Sequence, residues 1–301
     1  VDVLAVAVRF GLYLSSMLCF GAAAFALHAP RGTADALPLR GLLVASIMSG
    51  LILSLVGLAV LSAGMAGVGI GEVDRATVAS VIENTAAGTA WMVRMAAFVG
   101  LLAASILRVG MARMAAALLG GVVVATLAWG GHGAAGDGAA GWVHLVADVL
   151  HLLAAGTWLG ALVALTLLAF GPSRTGAAHV DLLHRALRGF STTGTLVVAV
   201  IVITGAASGW LLVGPGGVPL LGTTLYGRLL LAKIGLFVVM LVFAWGNRYR
   251  LTPALDRARR EGDAPGAIAA LRWSLASETA CAVVVLALVA WLGTIEPIAR
   301  S

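Results

Sequence analysis

Eight apolar runs, each long enough to cross about 30 Å of hydrocarbon as a helix, leave this chain few folds to choose from. They fall near residues 3–27, 40–64, 81–107, 111–130, 142–170, 187–213, 223–246 and 271–293. In lipid every backbone N–H and C=O must be paired within the protein, so a spanning segment is either a helix or a strand of a closed barrel. These runs are helix-sized and lack the alternation, about ten residues long, that marks barrel strands. Composition agrees, with 61% hydrophobic and 11% charged residues and a mean hydropathy of +1.04, outside the soluble globular range. The expectation is an all-α polytopic membrane protein: one integral domain over residues 1–301, with transmembrane helices one to four in 1–130 and five to eight in 131–297. The first run carries neither a basic leader nor a small-residue cleavage site and reads as a retained helix. Cys19 and Cys281 each sit inside an apolar run and form no CxxC pair, so they read as packing residues.

Lys and Arg between the runs set the orientation. Arg31 and Arg40 follow the first run, Arg108 and Arg113 the third, Arg174, Arg185 and Arg188 the fifth, and six arginines from Arg248 to Arg272 the seventh. The alternate connections hold only Arg75, with Arg300 on the C-terminal tail. The arginine-rich loops are therefore expected in the cytoplasm and both termini outside it. The net charge of +6 is a topology signal, and no nucleic-acid partner is expected, because the arginines are scattered over four loops without interleaved aromatics. Pro253, Gly262 and Pro265 in the last basic loop suggest a short amphipathic piece at the interface.

The stretch HLVADVLHLLAAGTWLG, residues 144–160, is the chemically unusual one. At 100° per residue His144, Asp148 and His151 share a sector of about 60°, at depths of about 3, 9 and 13 Å below Trp142. Ionisable groups at such depth cost roughly 2.5 to 3.5 kcal/mol unless paired or hydrated, and a functional role is their default reading. Imidazole and carboxylate suit copper, zinc or nickel. The competing reading is a static polar patch in which Asp148 accepts hydrogen bonds from both histidines. His132, on the glycine-rich loop above, adds a third candidate imidazole. Met92 and Met95, spaced i, i+3 in the third run and near His151 in depth, are candidate thioether ligands for Cu(I), although methionine also serves as core filler. His179 and His184 beside Asp181 fit a solvated loop face.

Three further charges lie inside hydrocarbon. Lys233 and Glu278, on the last two runs, are expected to pair with each other, in a structural or gating role. Arg94 is expected to find its partner on another helix. A haem held by membrane histidines would make the chain an electron-transfer subunit or metal reductase instead, but the histidines are not paired near both membrane faces.

A longer ordered pattern carries a family resemblance. HG at His132 and Gly133, the stretch from His144, LRGFS, then TTLYGRLLLAKIGLFVVMLVFAWGNRYRLTPAL, and finally LRWSLASE before an apolar helix and Pro297 together resemble the copper resistance protein D (CopD) family. The resemblance covers mainly residues 130–297; the first four runs match only in being apolar helices. It implies a bacterial inner-membrane protein that handles or transports copper, as Cu(I) or Cu(II), beside a periplasmic CopC-like copper carrier, and not an enzyme. It also matches the family's histidine-rich helix to His144 and His151. No nucleotide-binding loop or phosphorylation motif is present, so movement would be passive, driven by membrane potential, or coupled to protons through groups such as Asp148 or Glu278.

Overall fold

The computed structural model describes residues 2–106, 112–130, 138–171, 176–261 and 265–298. They form helices without strands, and eight helical stretches among the described residues are long and apolar enough to span a membrane. In chain order the helices are α1 (Val3–His28), α2 (Leu39–Ala66), α3 (Arg75–Asn84), α4 (Ala86–Ile106), α5 (Ala112–Ala125), α6 (Gly138–Ala169), α7 (Ala177–Gly217), α8 (Leu225–Gly246), α9 (Thr252–Glu261) and α10 (Pro265–Leu292).

Helix α1 is the hub, packed on α2, α5, α6 and α10. Its closest crossing is with α6, where a Cβ on Gly21 would lie 2.2 Å from the Gly156 carbonyl oxygen and one on Gly160 2.3 Å from the Gly21 Cα. With no hydrophobic drive between helices in lipid, such small-residue contacts let backbones approach and gain dispersion energy. On α2, Gly50 serves the same end by receiving the Phe98 ring of α4. Helix α7 packs chiefly on α6, and α8 chiefly on α10. The large apolar side chains left exposed, such as Ile52, Leu55, Leu196, Ile203 and Val242, cover the outer faces of the helices, where lipid rather than water is their solvent.

Contacts at the helix ends define two poles. At one, Arg9 donates to the Gly130 carbonyl at 3.1 Å. At the other, Arg113 pairs with Asp35 at 2.8 Å and Arg272 Nε donates to the Ala169 carbonyl at 2.7 Å. The second pole also carries Arg185, Arg188 and the arginines of α9.

Three boundaries differ from the sequence reading. The third run does not begin at 81: Thr85 ends α3, donating its hydroxyl to Val81 O at 2.7 Å and accepting from Gly88 N at 2.9 Å, so Glu83 and Arg94 lie on separate helices. The sixth span starts ten residues earlier than 187, at Ala177, on the side of the arginine-rich pole. It is broken at Gly214, whose φ of 65° is left-handed, just before Pro215. Finally, α8 passes through a π-helical turn, Asn247–Leu251, into the short amphipathic helix α9, where the sequence suggested an amphipathic piece in the basic loop.

Candidate functional site

The unusual stretch lies on α6, with the exposed Trp142 near its start. His144 is buried, and its Nε2, which forms no hydrogen bond, lies 3.6 Å from Asp148 Oδ2 one turn on. Asp148 Oδ1 accepts from the Ser208 hydroxyl of α7 at 2.9 Å. One turn deeper, His151 Nδ1 lies 3.0 Å from Thr204 Oγ1. The Thr204 proton is already committed to Val200 O at 2.6 Å, so the threonine oxygen accepts and His151 Nδ1 donates. That tautomer leaves the lone pair on Nε2, which is the form a metal ion requires. Opposite the ring stands Gly205, where a Cβ would lie 3.3 Å from His151 Cε1.

His151 lines a cavity of about 300 Å³ among α1, α6, α7, α8 and α10. Around it the wall is apolar, with Ala155, Phe237 and two methionines, Met17 of α1 and Met240 of α8. Lys233 lines the same cavity, and its ammonium interacts electrostatically with Asp148 and His151.

The expected Lys233–Glu278 pair is not formed. Glu278, fully buried on α10, accepts from Trp158 Nε1 at 3.0 Å and from Asn247 Nδ2 at 2.9 Å. The reason is depth. Glu278 bonds Asn247, which by helical rise lies about 21 Å along α8 from Lys233, whereas Lys233 shares the cavity of His151.

Met92 is 44% exposed on α4, and neither Met92 nor the half-buried Met95 lines the His151 cavity. Arg94 does find its partner on another helix, donating to Ser54 Oγ of α2 at 3.2 Å. His132 lies outside the described residues. His184 is not on a solvated loop face: it is buried on the N-terminal part of α7, with Nε2 3.5 Å from Asp256 Oδ1 of α9.

The donors at His144, Asp148 and His151 form a ladder along α6. Among the described residues no three His, Cys, Asp or Glu side chains converge as a ready metal cage. Met240, Thr204 and Ser208 were not legible as site residues, and Met17 was only a weak thioether candidate, because a methionine or hydroxyl in an apolar helix looks the same whether it fills the core or faces a cavity.

This arrangement defines a multi-pass helical membrane protein with metal-suited side chains inside its bundle. The chain belongs to the copper resistance protein D family. The family model described as copper resistance protein D-like, N-terminal domain, matches residues 1–142, and that of copper resistance protein D matches residues 184–292. The likeness therefore extends to the first four spans. The copper resistance protein D of Pseudomonas syringae pv. tomato is 42% identical over 98% of this chain and 97% of its own length. The inner membrane protein YebZ of Escherichia coli (strain K12) is 30% identical over 97% of this chain and 98% of its own length. No solved structure matches. The protein is a multi-pass protein of the inner membrane, and its role is copper-related.

Proposed function

We propose that this protein passes copper through the inner membrane toward the cytoplasm, receiving it at the outer end of α6 from a periplasmic copper carrier. The observation that carries this reading is the ladder of donors that starts at His144 and Asp148 near the end of the bundle and descends to His151 in a cavity walled by Met17 and Met240. Each step replaces lost hydration with a ligand, and the set turns from carboxylate and imidazole toward imidazole and thioether, which favours Cu(I) with depth. Weak, successive sites also suit conduction, because an ion must be able to leave each one. Lys233 acts as a resident counter-charge for Asp148, and an arriving cation takes over that role. The inside-negative potential favours inward movement by roughly 2.3 kcal/mol per charge per 100 mV. The arginine-rich pole is cytoplasmic in this reading, and both termini face outward.

The test is copper binding by the detergent-purified protein. A His144→Ala, His151→Ala variant should lose the outer copper ion, while Asp148→Asn should weaken it several-fold. Unchanged stoichiometry in the double histidine variant would overturn the assignment. A haem absorption spectrum in the purified protein would replace the reading with an electron-transfer one.

A further inference from the structure

Two cavities follow one another along the seam between α7 and α8, and Trp158 lines both. The first is the His151 cavity. The second, of about 720 Å³, lies toward the arginine-rich pole. Trp158 stands between them, its ring edge-on to Phe237 at 5.8 Å in the first and its N–H on Glu278 in the second.

The second cavity contains a pair of buried polar groups that stand apart from the α6 ladder. Glu278 is 1% exposed, and both of its hydrogen-bond donors, Trp158 and Asn247, are neutral. No ion pair involves it among the described residues. A carboxylate out of water is costly unless a positive charge or a proton joins it. Asn247, 8% exposed, spends its amide N–H on Glu278, while its Oδ1 is buried without any donor. Both residues line the cavity. A carboxylate and an adjacent carbonyl oxygen with unspent acceptor capacity thus face one space.

Asn247 opens the π-helical turn at the end of α8. Such turns recur at functional sites, since the extra residue resets which side chains face inward. The other charged or titratable groups around the cavity are His184 and Arg188 from α7, Arg248 and Tyr249 from the π-turn and Asp256 from α9. Arg248 is held by the Ser191 carbonyl and the Thr195 hydroxyl, and His184 by Asp256. These groups occupy the mouth of the cavity.

We propose that Glu278 and Asn247 form a second, inner cation-acceptor site, reached from the arginine-rich pole and separated from the His151 cavity by the Trp158 indole. Its ligand is a positive charge taken up by oxygen donors: a metal cation coordinated by the carboxylate and the amide oxygen, or a proton on Glu278 donated in a hydrogen bond to Asn247 Oδ1 once the amide has turned over. The proposal rests on the transport reading only in taking the arginine-rich pole as cytoplasmic.

Glu278→Gln tests it with little disturbance. Once the Asn247 amide has turned over, the new amide accepts from Trp158 and donates to Asn247 Oδ1, while the charge is removed. Equilibrium dialysis of the purified full chain against Cu²⁺ and infrared difference spectra on acidification are recorded for the unmodified protein, for this variant and for the His144→Ala, His151→Ala variant. One Cu²⁺ fewer in Glu278→Gln, distinct from the ion lost with the two histidines, establishes the metal as occupant. A protonated-carboxyl band that grows on acidification and is missing only in Glu278→Gln establishes the proton. Asn247→Leu, which keeps the carboxylate, should weaken that ion several-fold or shift that band, and it serves as the second variant. Unchanged ion count and unchanged infrared spectra in Glu278→Gln overturn the proposal. Failure of the histidine variant to lose copper instead overturns the transport reading and leaves this result standing.

Discussion

At the scale of single residues, identical glycines have opposite structural meanings in this bundle. A Cβ on Gly160 would lie 2.2 Å from the Gly21 carbonyl carbon, whereas one on Gly64 meets nothing within 4 Å. In an open helical position Gly→Ala stabilises by about 0.5–1 kcal/mol through lost chain entropy. At the α1–α6 crossing the added methyl meets backbone, which cannot rotate away, and overpacking of this kind costs about 1–3 kcal/mol or more. Gly160→Ala should therefore lower the thermal midpoint and the folded yield in detergent, while Gly64→Ala should leave them equal or slightly raised. Matching midpoints for the two variants would contradict the close crossing. The same limit applies to the site. The spacing of His144, Asp148 and His151 showed that they share a face, but it could not show that Thr204 fixes the His151 tautomer or that Met17 joins from α1, because both depend on other helices.

Among the elements, α9 is held by charge more than by chain connection. Asp181 of α7 pairs with Arg259 and, at 2.5 Å, with Arg185. Asp256 takes Arg260 at 2.9 Å, Arg259 at 3.2 Å and His184 at 3.5 Å. Beneath these, Leu255 is fully buried. Exposed pairs are each worth at most about 1 kcal/mol, so the network should govern the docking of α9 and not the stability of the bundle. Asp256→Ala is expected to speed tryptic cleavage at Arg257, Arg259 and Arg260 several-fold with little change in global melting. Equal cleavage rates would show that Leu255 alone anchors the helix. The amphipathic piece was legible from the arginines and prolines of its loop. Its partner was not, since the ten added residues of α7 read as a polar loop, whereas Val180, Leu183 and Ala186 are buried in the main core.

Across the whole molecule, orientation is the first testable property. With cysteine-free background substitutions at Cys19 and Cys281, a single cysteine at Gly69, after α2, should react with a membrane-impermeant maleimide in intact cells. One at Glu261, at the end of α9, should react only after lysis. The reverse pattern would invert the bundle and with it the direction of copper entry. The sequence by itself determined the helical membrane class, the number of spans, the family and the polar stripe on α6, because each is written in local properties: run length, hydropathy and the 3.6-residue period. Tertiary structure alone decided which charges meet. Lys233 came to line one cavity with His151, Glu278 joined Trp158 and Asn247, and Met92 turned to the outer face. Depth along neighbouring helices and rotation about their axes set those contacts, and neither is encoded in the spacing of residues on a single helix.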